Sequence, residues 1–156
     1  MDFEVLDRVL AALESHRVKY AIFGAVALNL HGLLRNTEDL VIFIAPERSN
    51  IEQLKAALRD VIDDPEIDNI TAEDLLGECP AVRYTPPTGA FYIDILTRLG
   101  EAFTFADLET ERVPYEDLMV TVVTPRMLYK MKKDTVRGKD RVDADALRRT
   151  FNLEQD

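Results

Sequence analysis

The sequence contains one cysteine, Cys79, in 156 residues, so no internal disulfide can form. That scarcity agrees with a reducing cytoplasm. With no adjacent His or basic residue to activate it, Cys79 reads as a loop residue rather than a nucleophile. Long hydrophobic runs are missing too. No apolar stretch approaches the roughly 20 residues that cross a bilayer, so no membrane association is expected. The opening MDFEVLDRVL is acidic and helix-patterned, unlike a signal peptide. Positive charge is in deficit, 19 Lys and Arg against 29 Asp and Glu, for a net charge of −10. Such a balance argues against indiscriminate binding to a polyanion, where affinity grows with the number of cationic contacts.

What is present is the mix of a globular domain: 47% apolar and 31% charged residues, with no linker and no repeat. The expectation is one domain over 1–156, with a C-terminal helical segment at about 125–151. Apolar residues at Phe3, Leu6, Val9, Leu10 and Leu13 predict a helix over 3–17. Val18–Phe23 and Asp39–Ala45 read as buried strands, separated by a short helix at Ala25–Gly32. Asn50 is a candidate cap for a helix reaching about Ile62. The acidic stretch 63–80 reads as loop with one helical turn at Ala72–Leu76. Ala81–Thr85 and Ala90–Leu96 flank Pro86-Pro87-Thr88-Gly89 and predict a hairpin. A strand at Met119–Val123 leads to Pro125 as first helical residue after Thr124. That helix runs to about Asp134, a loop holds Gly138, and a last helix covers about 140–151. Helices mixed with short strands give an α/β or α+β fold, a small mixed sheet flanked by helices.

Chemistry concentrates in FGAVALNLHGLLRNTEDLVIFI, residues 23–44. A strand that ends at Gly24 and opens directly into a helix gathers free backbone N–H groups at one point, which suits an anion. Asp39 stands at the mouth of an apolar strand, and by alternation shares a face with Val41 and Phe43, opposite Glu38, Leu40 and Ile42. Asp94 lies inside the apolar strand FYIDILT, where an aspartate needs a metal, a cation or a polar cleft. Asp39 could instead cap a turn, and Asp94 could sit on an exposed sheet face. A basic segment from Arg126 to Arg141 holds seven cationic residues, including Lys132, Arg137 and Lys139, against Asp134 and Asp140. It suits either a locally held phosphate or a solvated helix face. His31 could pack on a ligand, orient Asp39, or bond a carbonyl at a helix end. Tyr84 and Tyr92 read as core or cleft packing.

A Gly-containing strand–helix turn, an acid at the mouth of the next strand, and a further Asp on a later strand together resemble the nucleotidyltransferase superfamily, the DNA polymerase beta-like fold. The segment carrying Gly24, Ala27, His31, Gly32, Arg35, Thr37 and Asp39 is similar to that of small bacterial members related to abortive-infection and minimal nucleotidyltransferases. Met131-Lys132 and the stretch from Arg137 through Asp143 to Leu147 resemble the C-terminal segment of those families. The resemblance implies two Mg²⁺ ions held by three carboxylates, a nucleoside triphosphate, and transfer of its nucleoside monophosphate to an RNA or protein acceptor. It implies Asp39 and Asp94 as catalytic, metal-holding carboxylates, and Gly24, Ala25, Arg35, Lys132 and Asp143 as nucleotide-binding positions. Arg35 would reach a phosphate or pair with Asp39.

Two positions depart from the family pattern. The second acid of the Asp-x-Asp strand is Val41, which offers no lone pair to a cation, and Glu38 projects from the other face. The residue after Gly24 is Ala25, which keeps the backbone N–H but lacks a hydroxyl. Mg²⁺ binding and transfer are therefore expected to be weakened. The alternative is a non-catalytic module, an antitoxin-like partner in a toxin–antitoxin pair or a nucleotide sensor.

Overall fold

The computed structural model describes residues 2–77, 80–87, 91–99, 103–132 and 138–153, with side chains for all of these but 138–141. Cys79, the Thr88-Gly89 end of the hairpin turn, Arg137 and the side chain of Lys139 lie outside the described residues.

Helix α1 (Phe3–Ser15) starts where the Asp2 carboxylate accepts from the amides of Glu4 and Val5, two of the donors a helix start leaves over. Its Leu6, Val9, Leu10 and Leu13 are buried, and each stabilises the fold by about 1.5–3 kcal/mol relative to exposure. Strand β1 (Tyr20–Phe23) runs into α2 (Gly24–Leu30), and β2 (Asp39–Ile44) leads to α3 (Arg48–Val61), which packs on α1. The predicted Asn50 cap is corrected here, since α3 begins at Arg48 after Glu47. Asn50 is buried, accepts from the amide of Lys19, and donates to the carbonyls of Lys19 and Ala45. It thus fastens the start of β1 to the end of β2.

A short 3-10 helix (Pro65–Asn69) precedes α4 (Ala72–Leu76), whose Thr71 hydroxyl accepts from the amide of Asp74. The hairpin is β3 (Ala81–Tyr84) against β4 (Tyr92–Leu96). A small ribbon of β5 (Arg98–Leu99) and β6 (Phe103–Thr104) follows. Then come β7 (Thr110–Tyr115), β8 (Leu118–Val123), α5 (Pro125–Lys132) and α6 (Gly138–Phe151). The Thr124 hydroxyl accepts from the Met127 amide at the start of α5, as the Thr-Pro pair predicts. Helix α6 begins at Gly138, two residues before the predicted start.

The sheet has six strands in the order β3-β4-β2-β1-β8-β7, parallel at β2–β4 and β1–β8 and antiparallel elsewhere. It is the mixed sheet flanked by helices that the sequence predicts. One strand escapes that reading. TERVPY in β7 carries charges and Pro114, yet it lies at the sheet edge, where a missing amide breaks no ladder.

Candidate functional site

Register decides which side chains meet. Phe23 of β1 pairs with Val41 of β2, Val41 with Asp94 of β4, and Asp94 with Arg83 of β3. Paired residues project to one face, so these four form a row across four strands. Asp39 lies two residues from Val41 on the same face and pairs with Tyr92. This face is half-buried at Asp39, Val41 and Asp94, whereas Leu40, Ile42, Ile93 and Ile95 on the other face are buried. The two acids therefore stand together at the open side of the sheet.

Gly24 sits over this row. Its φ is +77°, a conformation that L side chains rarely adopt, and a Cβ built there would lie 3.2 Å from Val41 Cγ2. Both constraints call for glycine at the point where β1 turns into α2. Phe23, the residue before α2, supplies no side-chain cap to its first turn, and Ala25 follows, half-buried.

Asp94 is held by Arg83, with Nε donating to Oδ1 at 2.8 Å and Nη2 to Oδ2 at 3.1 Å. This is a bidentate pair. Burial pushes the Asp94 pKa upward, but hydrogen bonding to the Arg83 guanidinium and to the Asp39 carboxyl outweighs it, and the carboxyl titrates below the ordinary aspartate range. The guanidinium carbon lies 4.8 Å from the Tyr92 ring centroid. Hydrogen bonding to Asp94 and that carboxylate's charge raise the Arg83 pKa further.

A second cluster lies toward the helices. Asp143 of α6, 2% exposed, accepts from Arg35 Nε at 2.7 Å and has Lys132 Nζ 3.6 Å away. Arg35 thus pairs with Asp143, not with Asp39. Its backbone is clasped by Asn29, whose side chain accepts from the Arg35 amide and donates to its carbonyl. Lys132 Nζ lies 5.7 Å from the Phe23 ring centroid, which puts it near the end of the row. His31 Nε2 is 2.8 Å from the Val123 carbonyl, and its ring meets Phe151 edge-on. Of its readings, the helix-end tie to a carbonyl is the one the geometry matches. Tyr84 is buried and donates to Asp64.

Arg83 does not stand out in the sequence. Its signal was there in outline, since AVRY and YIDI are the two arms of one hairpin, but only the register puts Arg83 opposite Asp94.

The donor set does not fit a resident two-metal centre. Val41 supplies no oxygen, both Asp94 oxygens face a guanidinium, and among the described residues no three His, Cys, Asp or Glu side chains are grouped to hold a metal ion. Among the described residues, no helix is long and apolar enough to cross a membrane.

No protein-family model matches the chain, and no curated protein does. Solved structures do. The Thermotoga maritima protein TM1012, a nucleotidyltransferase by assignment, superposes with a TM-score of 0.58 at 14% identity, covering 96% of this chain and 92% of that one. ANT(2'')-Ia, solved in complex with adenylyl-2''-tobramycin, gives 0.59 at 13% identity over 95% of this chain and 88% of its own. The solution structure of ANT(2'')-Ia, an antibiotic-resistance factor, gives 0.59 at 13% over 97% and 86%. The chain has the nucleotidyltransferase fold. At these identities the likeness is one of fold.

Proposed function

We propose that this nucleotidyltransferase-fold chain descends from enzymes that move a nucleoside monophosphate from a triphosphate to an RNA or protein acceptor. On this reading its cleft keeps triphosphate binding and has lost most of the transfer. The observation that carries it is the register of Val41 beside Asp94, because an apolar side chain then stands in the row where the resemblance expects a carboxylate. Asp39 and Asp94 are the remaining acids. Gly24 and Ala25 line the turn that would meet a phosphate, and Lys132 lies near the row's far end. Arg35 and Asp143 support the reading indirectly, by fixing the loop before β2 and the place of Lys132.

The experiment measures binding of ATP, GTP, CTP and UTP by calorimetry with and without Mg²⁺, beside transfer of labelled nucleotide to cellular RNA and protein. The expected outcome is triphosphate binding with little Mg²⁺ dependence and slow transfer. Val41→Asp is expected to raise Mg²⁺-dependent transfer above the unsubstituted chain. If no triphosphate binds, the reading fails. Rapid transfer by the Val41 form would overturn the role given to that position.

A second reading, a non-catalytic interaction module of antitoxin-like or nucleotide-sensing type, draws on the Arg83 clamp, which occupies Asp94 without any ligand. Tight capture of a partner protein with no triphosphate binding favours it.

A further inference from the structure

We propose that Arg83 takes the place of a divalent cation on Asp94, and that its guanidinium guards a cation site that opens when Arg83 is removed. The inference rests on reading Asp39 and Asp94 as the remaining metal carboxylates.

Two acids brought together on one face repel wherever both are ionised, and a positive partner relieves that repulsion. Arg83 supplies the positive charge from the neighbouring strand. It meets Asp94 in direct register, and its two N–H groups take both carboxylate oxygens. A planar fork matched to a carboxylate is the geometry Arg provides and Lys does not. Tyr92 then holds the fork from another side, with the guanidinium carbon 4.8 Å from its ring centroid. Tyr92 is itself the register partner of Asp39, so the clamp lies beside both acids.

Val41 completes the logic. With an acid there, three carboxylates would outweigh one guanidinium by two charges, and the excess would favour a divalent ion. With Val41, two acids face one guanidinium, which leaves at most a single excess charge. Arg83 also lies on an edge strand with its side chain 58% exposed, so removing it leaves no buried cavity. Lys132 and Arg35 are engaged with Asp143.

The test uses the whole, nucleotide-free chain and Mn²⁺ as probe, titrated by calorimetry and by the loss of free Mn²⁺ signal in electron paramagnetic resonance. Arg83→Ala and Arg83→Gln are compared with the unsubstituted chain. Arg48→Ala serves as control, because Arg48 pairs with Glu73 beyond the other end of β2. A unit charge about 4 Å from a bound cation, even screened as in water, changes its affinity by at least about fivefold. Both Arg83 variants are expected to bind Mn²⁺ at least about fivefold more tightly, with no change for Arg48→Ala. Val41→Asp combined with Arg83→Ala is expected to bind more tightly than either single variant. Unchanged Mn²⁺ affinity in both Arg83 variants, or equal tightening in Arg48→Ala, overturns the proposal. Because no nucleotide is present, the outcome is separate from the triphosphate reading. Tightened Mn²⁺ binding in a chain that takes no triphosphate would uphold the guard and sink the nucleotide.

Discussion

Two aspartates in this molecule are each met by arginine, and they are put to different use. Asp143 is 2% exposed and has Arg35 and Lys132 against it. Asp94 is 21% exposed and has Arg83, itself mostly in solvent. Around Asp143 the carboxylate is withdrawn from water, so its two cationic partners replace the hydration it has given up. Around Asp94 water screens the pair, and the same hydrogen bonds contribute little to stability. The buried cluster is a fastening between the loop before β2 and α6, whereas the open one is a place where a partner can be exchanged. Residue type does not distinguish them. Exposure does.

The strongest way to break this comparison is Asp143→Ala. It leaves Arg35 and Lys132 without their shared carboxylate, and Lys132 is 10% exposed. Removing one partner of a buried pair costs about 3–5 kcal/mol. The expected result in urea denaturation is a loss of that size with an unchanged m-value, since the same surface is exposed on unfolding. A loss below about 1 kcal/mol would mean that Asp143 behaves as a surface pair does, and the contrast with Asp94 would collapse.

An intermediate case is Glu14, which ties α1 to the sheet. Arg112 donates to it at 2.6 and 3.0 Å and the buried Tyr20 hydroxyl at 2.6 Å. Hydrogen bonding to Arg112 lowers the Glu14 pKa, against burial that raises it, and the Tyr20 hydroxyl adds to the lowering. A carboxyl with a depressed folded-state pKa stabilises fully above its ordinary value, here 4.5, and loses that contribution as pH falls through the lower folded value. Glu14→Gln is therefore expected to cost about 1–2 kcal/mol at pH 7, after discounting for the half-exposed Arg112. Melting curves of the two proteins should converge as the pH drops below 4.5. A gap that persists at low pH would assign the effect to packing, not to charge.

The same contrast explains what the sequence made legible. Strand alternation alone put Asp39 and Val41 on one face, and the order of elements through β2 followed from apolar runs and the Gly24 turn. Those are local patterns, repeated every second or every third and fourth residue. The partners of Asp94 and Asp143 come from 11 and 108 residues away. Nothing in composition links Arg35 to Asp143 across that distance, and Arg35 was as able to meet Asp39. Arg83 was overlooked because a one-residue slip in the hairpin would have turned it to the other face. Strand β7 was missed because its charges and Pro114 imitate a loop, and only its edge position makes it a strand.

The smallest expected effect is the sharpest test of the open site, and it comes from Asp94→Asn. The substitution removes the charge that Arg83 grips, and it also removes a carboxylate set beside Asp39. The first change destabilises, and the second stabilises to the extent that both acids are ionised, because neighbouring like charges resist ionising together. Exposed ion pairs contribute about 0.2–1 kcal/mol, so the two effects nearly cancel and stability should stay within about 1 kcal/mol of the parent. Whatever difference remains should shrink as NaCl is raised, because solvent-exposed charges are screened by salt. It should also vanish in acid. The Asp94 pKa is depressed, so its contribution is complete above 3.8 and fades as the pH falls through its folded value. Thermal melts at low and high salt, and at pH 7 and 3, check all three. A loss as large as that of Asp143→Ala, insensitive to salt, would show that Asp94 is a structural fastening. Asp94 would then be committed to Arg83, with nothing to spare for another cation.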